Sequence, residues 1–378
     1  MMKITRLKLK NWKNFRNIDV NLMDRTYIIG PNAVGKSNFL DVFRFIKDIA
    51  KSGGGLQKAV DDRGGITKLR CLQARSDTEV GITLFLEEDN ITWVYDLAFK
   101  AQGKGKQLIN ITKETVKKDD STILNRPDKN DKKDPLQLTQ THLEQILANK
   151  DFRDISDFFS SVTYLHLVPQ LLKYANEIGV SKIEDDPFGQ GFLDRLASVQ
   201  SKTRDAWLRK IQSSLSIAVP QFSELKFERD KLGMPHLEAR YNHWRPNAGW
   251  QREDQFSDGT LRLIGLVWAL LEKRQLLLME EPELSLNNEI VRYIPEIMEN
   301  TLKGARNQKQ VIISTHSPAL LNNNIDGHSI ILLHPTGNGT EARHPNTDEL
   351  ATMSAGFSPA EVMLPLTAPD NIERIVKA

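Results

Sequence analysis

The string GPNAVGKS at Gly30–Ser37 puts a glycine near each end of a short turn and closes it with a lysine and a serine. Glycines there let the backbone curl so that successive N–H groups point inward, forming a nest for phosphate oxygens. An apolar run, Tyr27–Ile29, precedes the turn and a helical pattern, Asn38–Ile49, follows it. A helix N-terminus therefore adds its partial positive charge at the same point. Lys36 can reach β- and γ-phosphates, and the Ser37 hydroxyl can ligate Mg²⁺. Pro31, Asn32, Ala33, Val34 and Gly35 supply the rest of the cradle, and Asn38 opens the helix.

Three further strings carry matching chemistry. Leu276–Glu283 reads LLLMEEPE, an apolar run that delivers paired carboxylates at its end. Buried parallel strands place ligands at their C-terminal ends. Glu280 is expected to hold the metal, and Glu281 to orient and deprotonate an attacking water. Val311–Pro318 reads VIISTHSP, where His316 is placed to hydrogen-bond a γ-phosphate or that water. Phe256–Arg262 reads FSDGTLR. There Ser257, Asp258 and Gly259 form a polar turn that can offer a hydroxyl, backbone N–H groups and a helix N-terminus to a phosphate.

The elements that must position these groups follow from the hydrophobic pattern. Ile4–Leu9 alternates apolar and basic residues as an edge or surface strand would. Val80–Leu86, Thr92–Phe99 and Leu108–Val116 read as an antiparallel meander. Lys117–Pro135, charged and carrying two prolines, reads as a solvated, mobile loop. Thr139–Ile217 turns helical, with Leu143, Ile146 and Leu147 on one face and Trp207, Leu208, Ile211 and Leu215 repeating later. Phe222–Phe227 and His236–Tyr241 read as strands, Phe256–Glu272 and Asn287–Leu302 as helices, and Leu276–Met279, Val311–Ser314 and Ser329–Leu333 as buried strands.

Bulk properties narrow the classes. At 378 residues, 39% hydrophobic and 26% charged, the chain can bury a full core. A net charge of +2 argues against a surface that coats nucleic acid throughout. One cysteine, Cys71, rules out a disulfide framework and thiolate zinc clusters. With no apolar signal core at the N-terminus and no run long enough to span a bilayer, a cytoplasmic location is expected, without a membrane partner.

Together, and in this order, the four strings resemble the phosphate loop, signature, Walker B with D-loop, and switch histidine of ABC-type ATPase heads. Within that superfamily the chain resembles the SMC/RecF-like AAA-family ATPases. These are kin to the ATPase parts of OLD nucleases and of anti-phage systems such as Septu, Gabija, PARIS and several retrons. Asn11–Arg16, NWKNFR, resembles that family's opening. The resemblance implies an α/β fold: an ABC-ATPase head with a mixed central sheet, an antiparallel β lobe and an inserted helical lobe. The expected division is 1–118, 119–240 and 241–378. It also implies ATP and Mg²⁺ as cofactors and a homodimer, or a higher oligomer, that sandwiches two nucleotides. Ser257 and Gly259 then act on the partner's γ-phosphate, and the D-loop, Leu284–Leu286, lies at the seam. About 220 residues separate the loop from the signature, and no heptads are visible, so no long coiled coil is expected.

Departures from the pattern are Glu280 in place of the usual aspartate, Asp258 in place of the transporter signature's second glycine, and no identifiable Q-loop glutamine, with Gln57 and Gln73 both unassigned. About 60 residues follow His316, too few for a typical domain of ~100 residues. Glu341, Asp348, Glu349 and Glu361 read as surface groups. A nuclease is accordingly expected on a separate chain, Toprim-like or HNH by analogy. The expected function is an ATP-hydrolysing sensor or regulatory subunit of an anti-phage complex that controls such an effector. Two alternatives are a nucleotide-gated scaffold with incidental hydrolysis and a RecF-like DNA-repair ATPase. DNA contact has two candidate patches. One is the basic N-terminal stripe of Lys3, Arg6, Lys8, Lys10, Lys13, Arg16 and Arg25, equally readable as a solvated strand face. The other is Arg240–Arg252, where the favoured reading is a hairpin with its aromatics packed inward.

Overall fold

The computed structural model describes residues 1–74, 76–103, 108–174, 186, 188–242, 249–303, 308–322 and 325–368. Trp244 and Arg245 of the basic-aromatic stretch lie outside them.

The chain opens with β1 (Met2–Trp12), β2 (Phe15–Asn21) and β3 (Arg25–Ile29), then the helix Lys36–Ala50. A meander follows: β4 (Val80–Glu88), β5 (Ile91–Ala101), β6 (Ile109–Lys118) and β7 (Ser121–Arg126). Next come β8 (Thr163–Leu165), β9 (Phe222–Arg229), β10 (Pro235–Tyr241) and β11 (Gln251–Arg252). The last strands are β12 (Leu276–Glu280), β13 (Gln310–Ser314), β14 (Ile330–Thr336) and β15 (Gly339–Arg343).

Two six-stranded sheets dominate. The antiparallel one runs β2-β1-β4-β5-β6-β7, and the central one β15-β14-β3-β13-β12-β8. In the central sheet every pairing is parallel except β14–β15. A small sheet, β11-β10-β9, completes the set. This is the mixed α/β head expected from the motifs, with no long coiled coil among the described residues.

The apolar strands are explained by burial on both faces. Along β12, Leu276 and Leu278 join a core with Phe39, Phe43 and Ile46 of the helix Lys36–Ala50 and with Tyr95 and Leu97 of the antiparallel sheet. Leu277 and Met279 join a second core with Ile264, Trp268 and Leu270 of the helix Asp258–Leu271. Each such side chain contributes about 2 kcal/mol of burial energy. The helix Lys36–Ala50 is thereby held between the two large sheets, with its N-terminus at the loop after β3.

Several expectations are corrected. β1 is an interior strand paired on both sides, not an edge. Its Met2, Ile4, Leu7 and Leu9 face the core while its cations face outward. Residues 117–135 are solvated along most of their length but are not a loop. They form β7 and the helix Lys129–Lys133 around Arg126, whose side chain is 1% exposed. Arg126 donates to Glu114 at 2.8 Å and to Asp131 at 2.7 Å, so these charges serve one another rather than solvent. Leu143, Ile146 and Leu147 do not share a helix face. Leu143 is buried, but the other two are 72% and 89% exposed in a run of turns. The helical pattern over 287–302 is two helices, Asn288–Arg292 and Ile294–Leu302, separated where Pro295 removes an N–H. β8, three residues long, was not anticipated.

The N-terminal stripe is largely neutralised where it stands. Lys3 meets Asp24, Arg6 and Lys8 meet Asp19, Lys10 meets Asp77 and Glu79, and Lys13 meets Asp41, all within 3.2 Å. In the second patch Tyr241 packs edge-on to Phe222, while Trp250 lies under Lys226 at 4.1 Å. No helix among the described residues is long and apolar enough to cross a membrane.

Removing Arg126 strands Glu114, which is fully buried. Arg126→Ala is expected to destabilise the chain by about 3–5 kcal/mol in urea denaturation. The exposed Lys132→Ala should stay within about 0.5 kcal/mol.

Candidate functional site

Parallel pairing brings the four strand ends into one row. Ile28 of β3 lies opposite Ser314 of β13, Ser314 opposite Glu280 of β12, and Met279 opposite Leu165 of β8. The loop, the acidic turn and the histidine turn all leave the sheet from this C-terminal edge.

Gly30 and Gly35 sit at φ +155° and +108°, and Ala33 at +62°. A Cβ on Gly30 would stand 2.5 Å from the Leu333 carbonyl oxygen, and one on Gly35 2.2 Å from the Asn14 amide. Glycine is required at both positions. The loop is braced from below by Asn14 and Thr340, residues to which the sequence pattern assigns no such role. Asn14 Nδ2 donates to the Val34 carbonyl at 2.5 Å and to Thr340 Oγ1 at 2.7 Å. Thr340 Oγ1 donates to the same Val34 carbonyl at 2.8 Å. Asn38 Nδ2 donates to Asn14 Oδ1 at 2.7 Å, so its amide is turned into this brace. Trp12 Nε1 donates to the Asn38 carbonyl at 2.9 Å.

Lys36 folds back under the loop, donating to the Gly30 and Pro31 carbonyls, each at 3.1 Å. Burial pushes its ammonium below the usual range, opposed by Glu281, Glu280 and Glu283. Ser37 Oγ donates to one oxygen of Glu280, and the Tyr164 hydroxyl donates to the other. Tyr164 comes from β8, and the Arg44 guanidinium covers its ring at 4.3 Å. Burial, reinforced by the Glu280 hydrogen bond, raises its phenol far above the usual range. His166 Nδ1 lies 3.3 Å from the Glu280 carbonyl oxygen.

Past Glu280 the chain leaves the ladder. Glu281 takes φ +44°, rare for a non-glycine residue, and its N–H still donates to the Ser314 carbonyl at 3.0 Å. Its carboxylate then stands 3.5 Å from His316 Nε2. Burial and the neighbouring Lys36 lower the His316 pKa, against the pull of Glu281, which favours the neutral imidazole. Glu283, a third carboxylate, accepts a hydrogen bond from the Thr315 hydroxyl at 2.5 Å. Burial raises its pKa.

Ser257 caps the helix Asp258–Leu271 by accepting the Thr260 N–H at 3.1 Å. Asp258 is held by Gln170 and Lys173, both at 2.7 Å. A Cβ on Gly259 would stand 2.8 Å from the Ser285 carbonyl oxygen, so the helix start abuts the 284–286 turn. Among the described residues no hydrogen bond or ion pair joins 257–259 to residues 30–38. Gln57 is committed to the backbone at Ile109 and Thr139, and Gln73 accepts from Cys71.

The Ser37 hydroxyl and the Glu280 carboxylate face each other as hard oxygen donors, the chemistry that suits Mg²⁺. That ion is usually held by one or two protein oxygens plus phosphate and water.

A glycine loop at a helix N-terminus, an acidic strand end and a histidine turn thus share one edge of the central sheet. Residues 25–322 match the family model described as "AAA domain, putative AbiEii toxin, Type IV TA system", and the chain belongs to that family. The fold is that of an SMC head. The structure of an SMC head bound to the C-winged helix domain of ScpA superposes with a TM-score of 0.55 at 14% identity, covering 92% of this chain and 99% of that one. An SMC head with an extended coiled coil, bound to the C-terminal domain of ScpA and derived from Pyrococcus furiosus, gives 0.52 at 14% identity, covering 94% and 99%. Endonuclease GajA of Bacillus cereus (strain VD045) is 41% identical over 54 residues. That match spans 14% of this chain and 9% of the endonuclease, a local likeness.

Gly35→Ala is expected to weaken binding of a non-hydrolysable ATP analogue at least about tenfold by calorimetry, the consequence of a forced positive φ and a clash with Asn14. Gly53→Ala, at φ +73° with nothing within 4 Å, should leave affinity unchanged within about twofold.

Proposed function

We propose that this chain is an Mg²⁺-dependent ATPase that works as the sensor or regulatory head of an anti-phage defence assembly and controls a separate effector. The observation that carries the chemistry is the convergence of Lys36, Ser37–Glu280 and Glu281–His316 on one sheet edge. In this reading Gly30–Gly35 and the N-terminus of the helix Lys36–Ala50 bind the phosphates through backbone N–H groups. Lys36 leaves its carbonyl partners to meet the β- and γ-phosphates. Ser37 and Glu280 hold the metal, which when bound neutralises phosphate charge. Glu281 takes a proton from the attacking water, and His316 hydrogen-bonds the γ-phosphate or that water.

The signature turn supports a site shared between two copies. Ser257–Gly259 has no polar link to its own loop and packs against the 284–286 turn instead. Two copies facing each other would bring the turn of each to the nucleotide of the other, and ATP would favour the closed pair by linkage. The role in defence, with a nuclease as effector, rests on the resemblance to anti-phage ATPases and on the local identity to an endonuclease. The ion-paired N-terminal stripe lends little to a DNA-repair reading.

Glu281→Gln should lower ATP turnover at least about 100-fold while ATP binding stays within about threefold. It should also accumulate a dimer with ATP in light-scattering chromatography. Full turnover in this variant would remove Glu281 from the base role. The defence role is checked by phage plating: Lys36→Ala should abolish any protection that the wild-type operon confers.

A further inference from the structure

Glu283 has no part in the scheme above, yet it occupies the junction of two of its segments. One carboxylate oxygen, Oε1, accepts the Thr315 hydroxyl at 2.5 Å and the His316 backbone N–H at 3.2 Å. Thr315 Oγ1 in turn accepts the Ser317 N–H at 3.0 Å. The peptide groups on both sides of His316 are thus tied, directly or through one hydroxyl, to a single carboxylate. Thr315 is fully buried, and its own N–H donates to Ile28 at the end of β3. On its other side Glu283 begins the 284–286 turn, where its carbonyl accepts the Leu286 N–H at 3.1 Å. The second oxygen, Oε2, is buried with no hydrogen-bond partner. A half-satisfied buried carboxylate is costly where a neutral residue would fill the space, so its presence calls for a reason. The His316 imidazole is near Glu281 but is not otherwise anchored by a side-chain bond among the described residues. Its aim depends on its backbone.

We propose that Glu283 is a positioning residue for hydrolysis: it clamps the Thr315–Ser317 turn so that His316 faces Glu281 and the γ-phosphate position. This rests on the ATPase reading of the same site. It adds a residue whose effect passes wholly through His316. It also makes the 284–286 turn and the histidine turn neighbours through one side chain.

The test is a double-mutant cycle with steady-state kinetics. Glu283→Ala should lower kcat about 10- to 100-fold, with KM for ATP within about twofold. Glu283→Gln keeps an acceptor oxygen for both bonds and should recover kcat to within about threefold of wild type. In a His316→Ala background, Glu283→Ala should cost no more than about a further twofold. Should the alanine variant not fold, Thr315→Val, which removes the hydroxyl alone, takes its place in the cycle with an expected loss of about threefold or more. Equal losses in the presence and absence of His316 would overturn the proposal, as would a glutamine variant as impaired as alanine. Wild-type turnover that survives Lys36→Ala would instead fail the ATPase reading, and this one with it.

Discussion

The parallel pairing of β3, β13 and β12 is the constraint on which everything else rests. It sets Ile28, Ser314 and Glu280 side by side, so three separate turns leave the sheet at one level. A strand advances about 3.3 Å per residue and alternates its faces. A slip of one residue in β12 would carry Glu280 away from Ser37 and exchange the two buried sets of side chains. The apolar content of these strands is therefore a registration device as well as a source of stability. Each slip would put the wrong shapes into both cores.

Upon this frame sits a layer of polar bracing. The phosphate loop adopts positive φ at Gly30, Ala33 and Gly35. It is held there by Asn14 and Thr340, which reach the Val34 carbonyl from before and far after the loop, while Asn38 in the first turn of the following helix holds Asn14. Tyr164 performs the comparable task for Glu280 from the adjacent edge strand β8. In both places a group proposed to meet the ligand is kept in position by one with no such role. On the proposed reading this bracing spares the loop backbone and Glu280 from reordering on nucleotide binding, while Lys36 still has to leave its carbonyl partners.

Much of the architecture was legible because its determinants are local. Apolar strands such as Leu276–Met279, the glycine spacing of the loop and the cap at Ser257 declare themselves in a few consecutive residues. The phosphate-loop and acidic strings likewise pointed to the edge where the structure gathers them. What escaped was non-local. Asn14 lay in a string that resembled a family opening, and nothing in it showed that its amide would meet Val34 and Thr340. β8 is too short for alternation to show, so Tyr164 was missed with it. Residues 117–135 read as a loop throughout because their charges balance along the sequence, and most of them are exposed. Arg126 instead lies between Glu114 and Asp131, partners that only the fold brings together around it. Glu283 is part of the acidic string, but its target, Thr315, follows a different strand, β13.

The division of the central sheet has a further consequence. Leu277 and Leu278 are neighbours in sequence, yet the sheet stands between their side chains. One belongs to the layer shared with Trp268 behind the signature helix, the other to the layer shared with Phe39 behind the phosphate loop. The two walls of the head can therefore drift apart in side-chain composition, each repacking against its own helix. The backbone between them keeps the same hydrogen bonds and presents the same row of strand ends.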